Sequence, residues 1–207
     1  MTVPEADNTQ TSRMRLLNAG KTLFARNGYE GTSTAAIARD AGSSESQLIR
    51  YFGGKAGLLE AIFNESWSSL NAALGPALEG AEHGRESILR LLTLMIRALS
   101  ADADIAFLFL FEGRRMRGNV PEVHLSTGFG EFLKVVNEQI ERGREDGSFR
   151  TDIPPEVLAS AMLGAAEGMI RDRVMRERNH QADHSFSDEH IFATFTAMVN
   201  GLSPSAK

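Results

Sequence analysis

Lys55 stands where a positive side chain needs a reason. Gly53 and Gly54 interrupt the chain just before it, and Leu58, Leu59 and Ile62 open a new apolar helical stripe just after it. A lysine at a helix start sits at the positive end of the macrodipole, which disfavours it. A bound anion reverses that penalty, because unpaired N–H groups and an ammonium can both point at a phosphate. Tyr51 adds a hydroxyl donor one helical turn earlier. By itself Lys55 reads equally well as a solvated surface residue. Its surroundings favour the phosphate.

Those surroundings are the stretch 42–55, which reads as a tight turn, a helix of about two turns and a glycine break. Gly42 can take the positive φ that ends a preceding helix. Ser44 followed by Gln47 is a capping-box pattern, so a helix is predicted to begin at Ser44. Leu48 and Phe52, four apart, share one face and can be buried together. Glu45, Ser46, Ile49 and Arg50 then point elsewhere. A helix this short is marginal in water and must be held by packing onto the helices before it.

The chain must supply those helices. Residues 1–10 are polar, carry a proline and lack periodicity, which predicts a disordered tail. A first helix is expected over 11–27, with Leu16, Leu17, Gly20, Leu23 and Phe24 forming one stripe. Gly28 ends it, and the run Thr32-Ser33-Thr34 offers hydroxyls for the next N-cap. Ile37, Ala38 and Ala41 give a second helix its buried face. Two short helices joined by a glycine-containing turn describe a helix-turn-helix, braced by the first helix.

Charge is distributed to match. The 207 residues carry a net charge of −5, yet 10–58 hold seven Lys or Arg against three Asp or Glu, a local +4 that leaves −9 for the rest. A basic N-terminal module on an acidic body suits a protein that touches nucleic acid with one end. There is no cysteine, hence no disulfide framework or thiolate chemistry. The N-terminus does not resemble a signal peptide, and no apolar run approaches the roughly 20 residues that span a bilayer. A cytoplasmic protein without membrane attachment is expected.

Beyond Leu58 everything reads as helix, which makes the fold class all-α. A fourth helix is expected to run to Leu74, before Gly75-Pro76. Ile88, Leu91, Leu92, Met95, Ile96 and Leu99 mark a fifth. Asp102 is placed to cap a sixth, apolar nearly all round over 105–111 and therefore expected to be buried on every side. Further helices are predicted over 122–144, ending at Gly147, over 154–177 with proline at its start, and from the end of the polar stretch 178–187 through Ile191, Phe195, Met198, Val199 and Leu202. Domain bounds of 11–57 and 58–203 follow.

Residues 12–63 resemble the DNA-binding domain of the TetR family of transcriptional regulators. The resemblance rests on Ala19 with Leu23 and Phe24, Asn27-Gly-Tyr-x-Gly-Thr-Ser-Thr34, Ile37-Ala38, Ala41-Gly-Ser-Ser44, Leu48-x-x-Tyr-Phe-x-x-Lys55 and Leu58-Leu59, taken in this order and spacing. It implies a repressor that binds a double-stranded operator as a homodimer, with Ser44, Glu45, Ser46, Gln47, Ile49 and Arg50 on the DNA surface and Thr34, Tyr51 and Lys55 on phosphates. Two positions depart from the family pattern. Ser43 stands where an apolar residue is common, and Glu45 where lysine is frequent. A carboxylate there repels phosphate but can accept from a cytosine amino group, so Glu45 either tunes specificity or weakens binding. Gln47, if it closes a capping box, is not free to read a base.

Two features mark the C-terminal body. The helix over 154–177 carries Ala159, Ala161, Gly164, Ala165, Ala166 and Gly168. An interior glycine costs about 1 kcal/mol against alanine, a cost that close approach of another helix can offset. With the apolar stripe of the last helix this predicts a dimer interface, which the resemblance implies as well. The second feature is an excess of large soft side chains, including Met95, Phe107, Phe111, Phe129 and Met169, with Glu112, Arg114 and His124 nearby in sequence. By composition these are plain core more readily than a cavity. The resemblance implies an effector pocket for a small, largely apolar molecule among these helices.

His180, Asp183, His184, Asp188 and His190 could be assembled into a metal set, but the stretch reads as a solvated connection, and no metal or cofactor is expected. The competing function is an all-helical enzyme or small-molecule binding protein with no DNA role. It lacks a catalytic constellation: there is no cysteine, no metal-ligand set and no phosphate-binding glycine loop.

Overall fold

The structure, a computed structural model, describes residues 5–112, 127–179 and 186–203. Its elements are all helical: α1 (Glu5–Asn27), α2 (Thr34–Asp40), α3 (Glu45–Phe52), α4 (Lys55–Ala72), α5 (Leu74–Leu78), α6 (Gly84–Ala101), α7 (Ala103–Phe107) running on into a π-helical turn (Leu108–Glu112), α8 (Thr127–Glu145), α9 (Pro155–Arg178) and α10 (Asp188–Asn200). Among the described residues there is no β-strand. Two compact units divide the chain, one of Met1–Ser66 with Phe107–Ser126, the other of Trp67–Ala106 with Thr127–Lys207.

In the first unit, Leu16, Phe24, Ile37, Leu48 and Leu58 are fully buried, one or two from each of the first four helices. Burying each such side chain is worth roughly 1.5–3 kcal/mol, which holds helices as short as the eight-residue α3 in place. Gly20 is required by this packing: a β-carbon there would lie 2.6 Å from Leu58 Cδ2. Residues 5–10, expected in a disordered tail, belong instead to α1, which begins at Glu5. No glycine or proline follows Pro4 in this stretch, and acids at 5 and 7 suit the positive end of a helix.

The second unit packs α6 on α8, α8 on α9, and α10 on both α6 and α9. Phe132, Ile140, Phe149, Leu158, Ile170 and Ile191 are buried at its centre. Arg173 is buried with them, its Nη1 paired with Asp188 at the first turn of α10 and donating to Ser100 Oγ of α6 at 3.0 Å. Burial pulls its guanidinium below the ordinary arginine value, opposed by the charge of Glu177.

Two expectations need correcting. The fourth helix stops at Ala72, and Gly75-Pro76 lies inside the short α5. Proline is tolerated there because first-turn N–H groups have no helical partner to lose. The segment 105–111 is not buried on every side: only Ala106 and Leu108 are buried and its phenylalanines are half-exposed. Asp102 does cap α7, its Oδ1 accepting from the N–H groups of Asp104 and Ile105 at 3.1 and 3.0 Å. The start expected near residue 122 for the next helix lies outside the described residues.

The N-terminus of α6 is capped by the turn after α8. Asp146 Oδ2 accepts from the Gly84 N–H at 2.7 Å, Asp146 Oδ1 from the Ser148 N–H at 2.9 Å, and Ser148 Oγ from the Arg85 N–H at 3.2 Å. Burial raises the pKa of Asp146, but hydrogen bonds from Ser148 and the Gly84 N–H outweigh it and hold the carboxyl below its usual value. The unfolded chain therefore takes up this proton at higher pH than the folded one. The contribution is complete above the ordinary aspartate value of about 3.9 and is lost as pH falls through the depressed one. Chemical denaturation across acid pH is expected to show a shallower acid limb for Asp146→Asn than for the parent.

Candidate nucleic-acid interface

Three consecutive hydroxyls open the helix-turn-helix, and each does something different. Thr32 is buried, its Oγ1 shared between the carbonyls of Gly28 at 2.8 Å and Leu23 at 3.1 Å, which closes the turn after α1. Ser33 is the N-cap of α2, accepting from the Ala36 N–H at 3.1 Å. Thr34 reaches across to α3, donating to Glu45 Oε2 at 2.6 Å. The sequence placed a cap somewhere in this run without saying which hydroxyl would supply it.

The turn into α3 follows from Gly42, at φ +57°. It lets the Ser43 N–H donate back to the Ala38 carbonyl at 2.9 Å. Ser44 then caps α3, its hydroxyl accepting from the Gln47 N–H at 3.2 Å. The other half of the expected capping box is replaced. Gln47 Oε1 accepts from the Ser43 hydroxyl instead. This follows from serine at a position where the TetR pattern commonly has an apolar residue: a donor one turn away claims the amide oxygen.

Leu48 and Phe52 are buried, at 0% and 9% exposure, and fix which way α3 faces. Ser44, Glu45, Ser46 and Arg50 are consequently exposed, and Ile49 stands 57% exposed, unusual for an isoleucine in an amphipathic helix. Gln47, Tyr51, Thr34 and Lys55 are half-buried around this face. All nine residues singled out for DNA are thus exposed or half-buried.

Several are already engaged within the chain. Arg50 donates to the Tyr51 hydroxyl at 2.9 Å, with its guanidinium carbon 4.9 Å from the ring centroid. The Tyr51 oxygen therefore accepts, and its own proton remains to be donated. Lys55 Nζ donates to the Tyr29 carbonyl at 2.9 Å and sits 4.3 Å from the centroid of that ring. An ammonium carries three donors, and the carbonyl takes one. Lys55 thereby ties the start of α4 to the loop between α1 and α2.

One supporting residue escaped the sequence reading. Arg13 of α1 stacks its guanidinium 5.3 Å from the Phe52 ring centroid and pairs with Glu65 of α4, so one side chain links three helices around the end of α3. Separations of 39 and 52 residues give no local signal for this.

The residues suggested for an effector pocket fall in both units. Phe107 and Phe111 stack on each other at 4.8 Å, in the first unit. Phe129 packs on Trp67 at 5.2 Å, Met95 is buried in α6 and Met169 is half-buried in α9, all in the second. A hollow of about 280 Å³ in the second unit is lined by Leu99, Val174, Arg173 and Phe186 among others, and by none of the five. Arg114 and His124 lie outside the described residues, as do His180, Asp183 and His184. Of the remaining metal candidates, Asp188 pairs with Arg173 and His190 is exposed on α10.

The family model for bacterial regulatory proteins of the tetR family matches residues 16–62, and that for the C-terminal region of YsiA-like protein matches 63–192. The chain is 28% identical over 174 residues to the transcriptional repressor KstR2 of Rhodococcus jostii, covering 83% of this chain and 85% of that one. It is 24% identical over 188 residues to the repressor DhaR of a Mycobacterium species, covering 90% and 92%. The structure of the regulator FadR from Bacillus subtilis in complex with stearoyl-CoA superposes with a TM-score of 0.77 at 16% identity, covering 92% and 97% of the two chains. None of the described helices is long and apolar enough to cross a membrane. The chain belongs to the TetR family of bacterial transcriptional regulators.

Proposed function

We propose that this protein is a repressor that binds a pseudo-palindromic operator as a homodimer and leaves it when a small, largely apolar effector binds the helical body. The observation that carries the DNA reading is α3 itself. Its apolar pair is buried, while Glu45, Ser46, Ile49 and Arg50 form a face left exposed among the described residues. Laid in a major groove, that face meets base edges. Tyr51 and Lys55 flank it and would hold phosphates, which set register without carrying sequence information.

The dimer reading is supported by α9 and α10. A β-carbon on Gly164 would meet nothing within 4 Å, so packing inside the chain does not account for that glycine. Val157 and Met175 on α9, and Phe192 and Met198 on α10, are large apolar side chains left exposed. The effector reading is supported by the stearoyl-CoA bound to the FadR relative, a ligand with a long apolar chain. Such an effector would act by differential affinity for the dimer arrangement unsuited to DNA. No catalytic role is proposed, and the protein would act in the cytoplasm, on DNA.

Selection from a randomised duplex pool, followed by gel shifts on the enriched sequence, tests the assignment. Arg50→Ala is expected to relax base preference at roughly 1–3 kcal/mol, whereas Lys55→Ala weakens binding to every sequence and lowers the salt slope by about one. If both variants bind like the parent, α3 is not the reading element.

A further inference from the structure

Thr34 and Glu45 are the first residues of α2 and α3, and their side chains meet at 2.6 Å. We propose that Thr34 acts not as a phosphate contact but as the residue that aims Glu45, and that the pair makes this head select cytosine at one position of each half-site. The proposal rests on the reading of α3 as the base-contacting helix.

A hydroxyl has one proton. At 2.6 Å from a carboxylate oxygen, within the range of charge-assisted O–H···O⁻ bonds, that proton is committed to Glu45. It cannot also be donated to a phosphate, and the lone pairs that remain on Thr34 have nothing to offer an anion. The phosphate role implied by family resemblance is therefore poorly served in this chain.

What the bond does serve is Glu45. An exposed glutamate has three rotatable side-chain bonds, and ordering it costs side-chain conformational entropy. The Thr34 hydroxyl supplies that order before DNA arrives. It pins Oε2 and leaves Oε1 as an acceptor on the exposed face. No cation among the described residues forms an ion pair with Glu45, so its full negative charge faces whatever α3 approaches. Phosphate is repelled, as are guanine, with two acceptors in the major groove, and thymine, with one. Adenine offers an amino donor, but beside the acceptor N7. Cytosine offers its amino donor with no acceptor of its own on the groove edge, which makes it the base best matched to a lone carboxylate oxygen. The same charge that identifies cytosine penalises every other contact, so Glu45 discriminates more than it attracts.

The test uses the full-length protein with a randomised duplex pool, then gel shifts on the enriched sequence and on single-base variants of it. The parent is expected to enrich cytosine at one position per half-site. Glu45→Gln should move that preference to adenine, which a carboxamide can bridge. Thr34→Val should cut the cytosine preference about tenfold while leaving other positions unchanged, and Thr34→Ser should restore it. In a Glu45→Ala background, Thr34→Val should have no further effect, because its partner is gone. The proposal is overturned if Thr34→Val weakens all sequences alike and does so equally in the Glu45→Ala background with a shallower salt slope, which is the behaviour of a phosphate contact. It is equally overturned if Glu45→Ala leaves every base preference intact. A pool in which the parent enriches no sequence removes the reading of α3 itself, and this pair with it.

Discussion

Gly164→Glu is expected to separate the dimer into folded monomers and to abolish operator binding. Along α9, Val157, Ala161, Gly164, Gly168 and Met175 recur at spacings of three, four and seven, on one side of the helix. Val157 and Met175 are 55% and 45% exposed, and a side chain at Gly164 would extend into open space. A glutamate there costs the isolated chain nothing in packing and gains up to about 1 kcal/mol in helix propensity. In a close helix–helix contact between two copies, the same carboxylate is buried without a partner, opposite its own symmetry mate, and an isologous interface suffers the insult twice. Loss of the dimer removes the second half-site from simultaneous engagement, a loss of roughly 10²–10⁴ in apparent affinity. Light scattering should report half the parent mass with an unchanged circular dichroism spectrum, and gel shifts should show no retained operator. Gly164→Ala, which adds one methyl, should remain dimeric. A Gly164→Glu protein that stays dimeric and binds DNA normally would move the interface away from α9.

What drew attention to α9 in the sequence was its interior glycines, which are locally costly and so need an explanation. The orientation of α3 was legible for a related reason: a four-residue spacing of Leu48 and Phe52 leaves one way for so short a helix to face. What could not be read were bonds made across folded distance. Thr34 and Glu45 are eleven residues apart and Lys55 and Tyr29 twenty-six. Nothing in local pattern says that a threonine hydroxyl meets a carboxylate, or that a lysine donates to a loop carbonyl. The capping box failed at Gln47 because Ser43 offered a competing donor, a choice between two local rules that only geometry decides. The pocket residues pose a different question. Phenylalanine and methionine at helical spacing report apolar surroundings without saying which, and the five were distributed over two units.

Gly84→Ala is expected to be among the most destabilising single changes in the chain. Gly84 is the first residue of α6, where it crosses α8, and a β-carbon would land on the Gly143 nitrogen and the Gln139 carbonyl. Both are backbone atoms within the helix, so relief requires α6 and α8 to separate rather than a side chain to rotate. Separation would also stretch the Gly84 N–H bond to Asp146 and the Arg85 N–H bond to Ser148, unfastening the α6 N-terminus. Overpacking alone costs about 1–3 kcal/mol, and loss of a cap adds roughly 1 kcal/mol. Together they amount to about 2–4 kcal/mol. In a protein of this size each kcal/mol lowers the melting temperature by about 2–4 °C, so a fall of roughly 4–16 °C should appear in calorimetry. Gly130→Ala is the matched control: it lies in the same α8, its β-carbon would meet nothing within 4 Å, and the substitution should raise stability by up to about 1 kcal/mol. Equal melting temperatures for Gly84→Ala and the parent would mean that α6 and α8 do not approach as closely as Gly84 and Gly143 allow, and that the capping by Asp146 and Ser148 must be drawn differently.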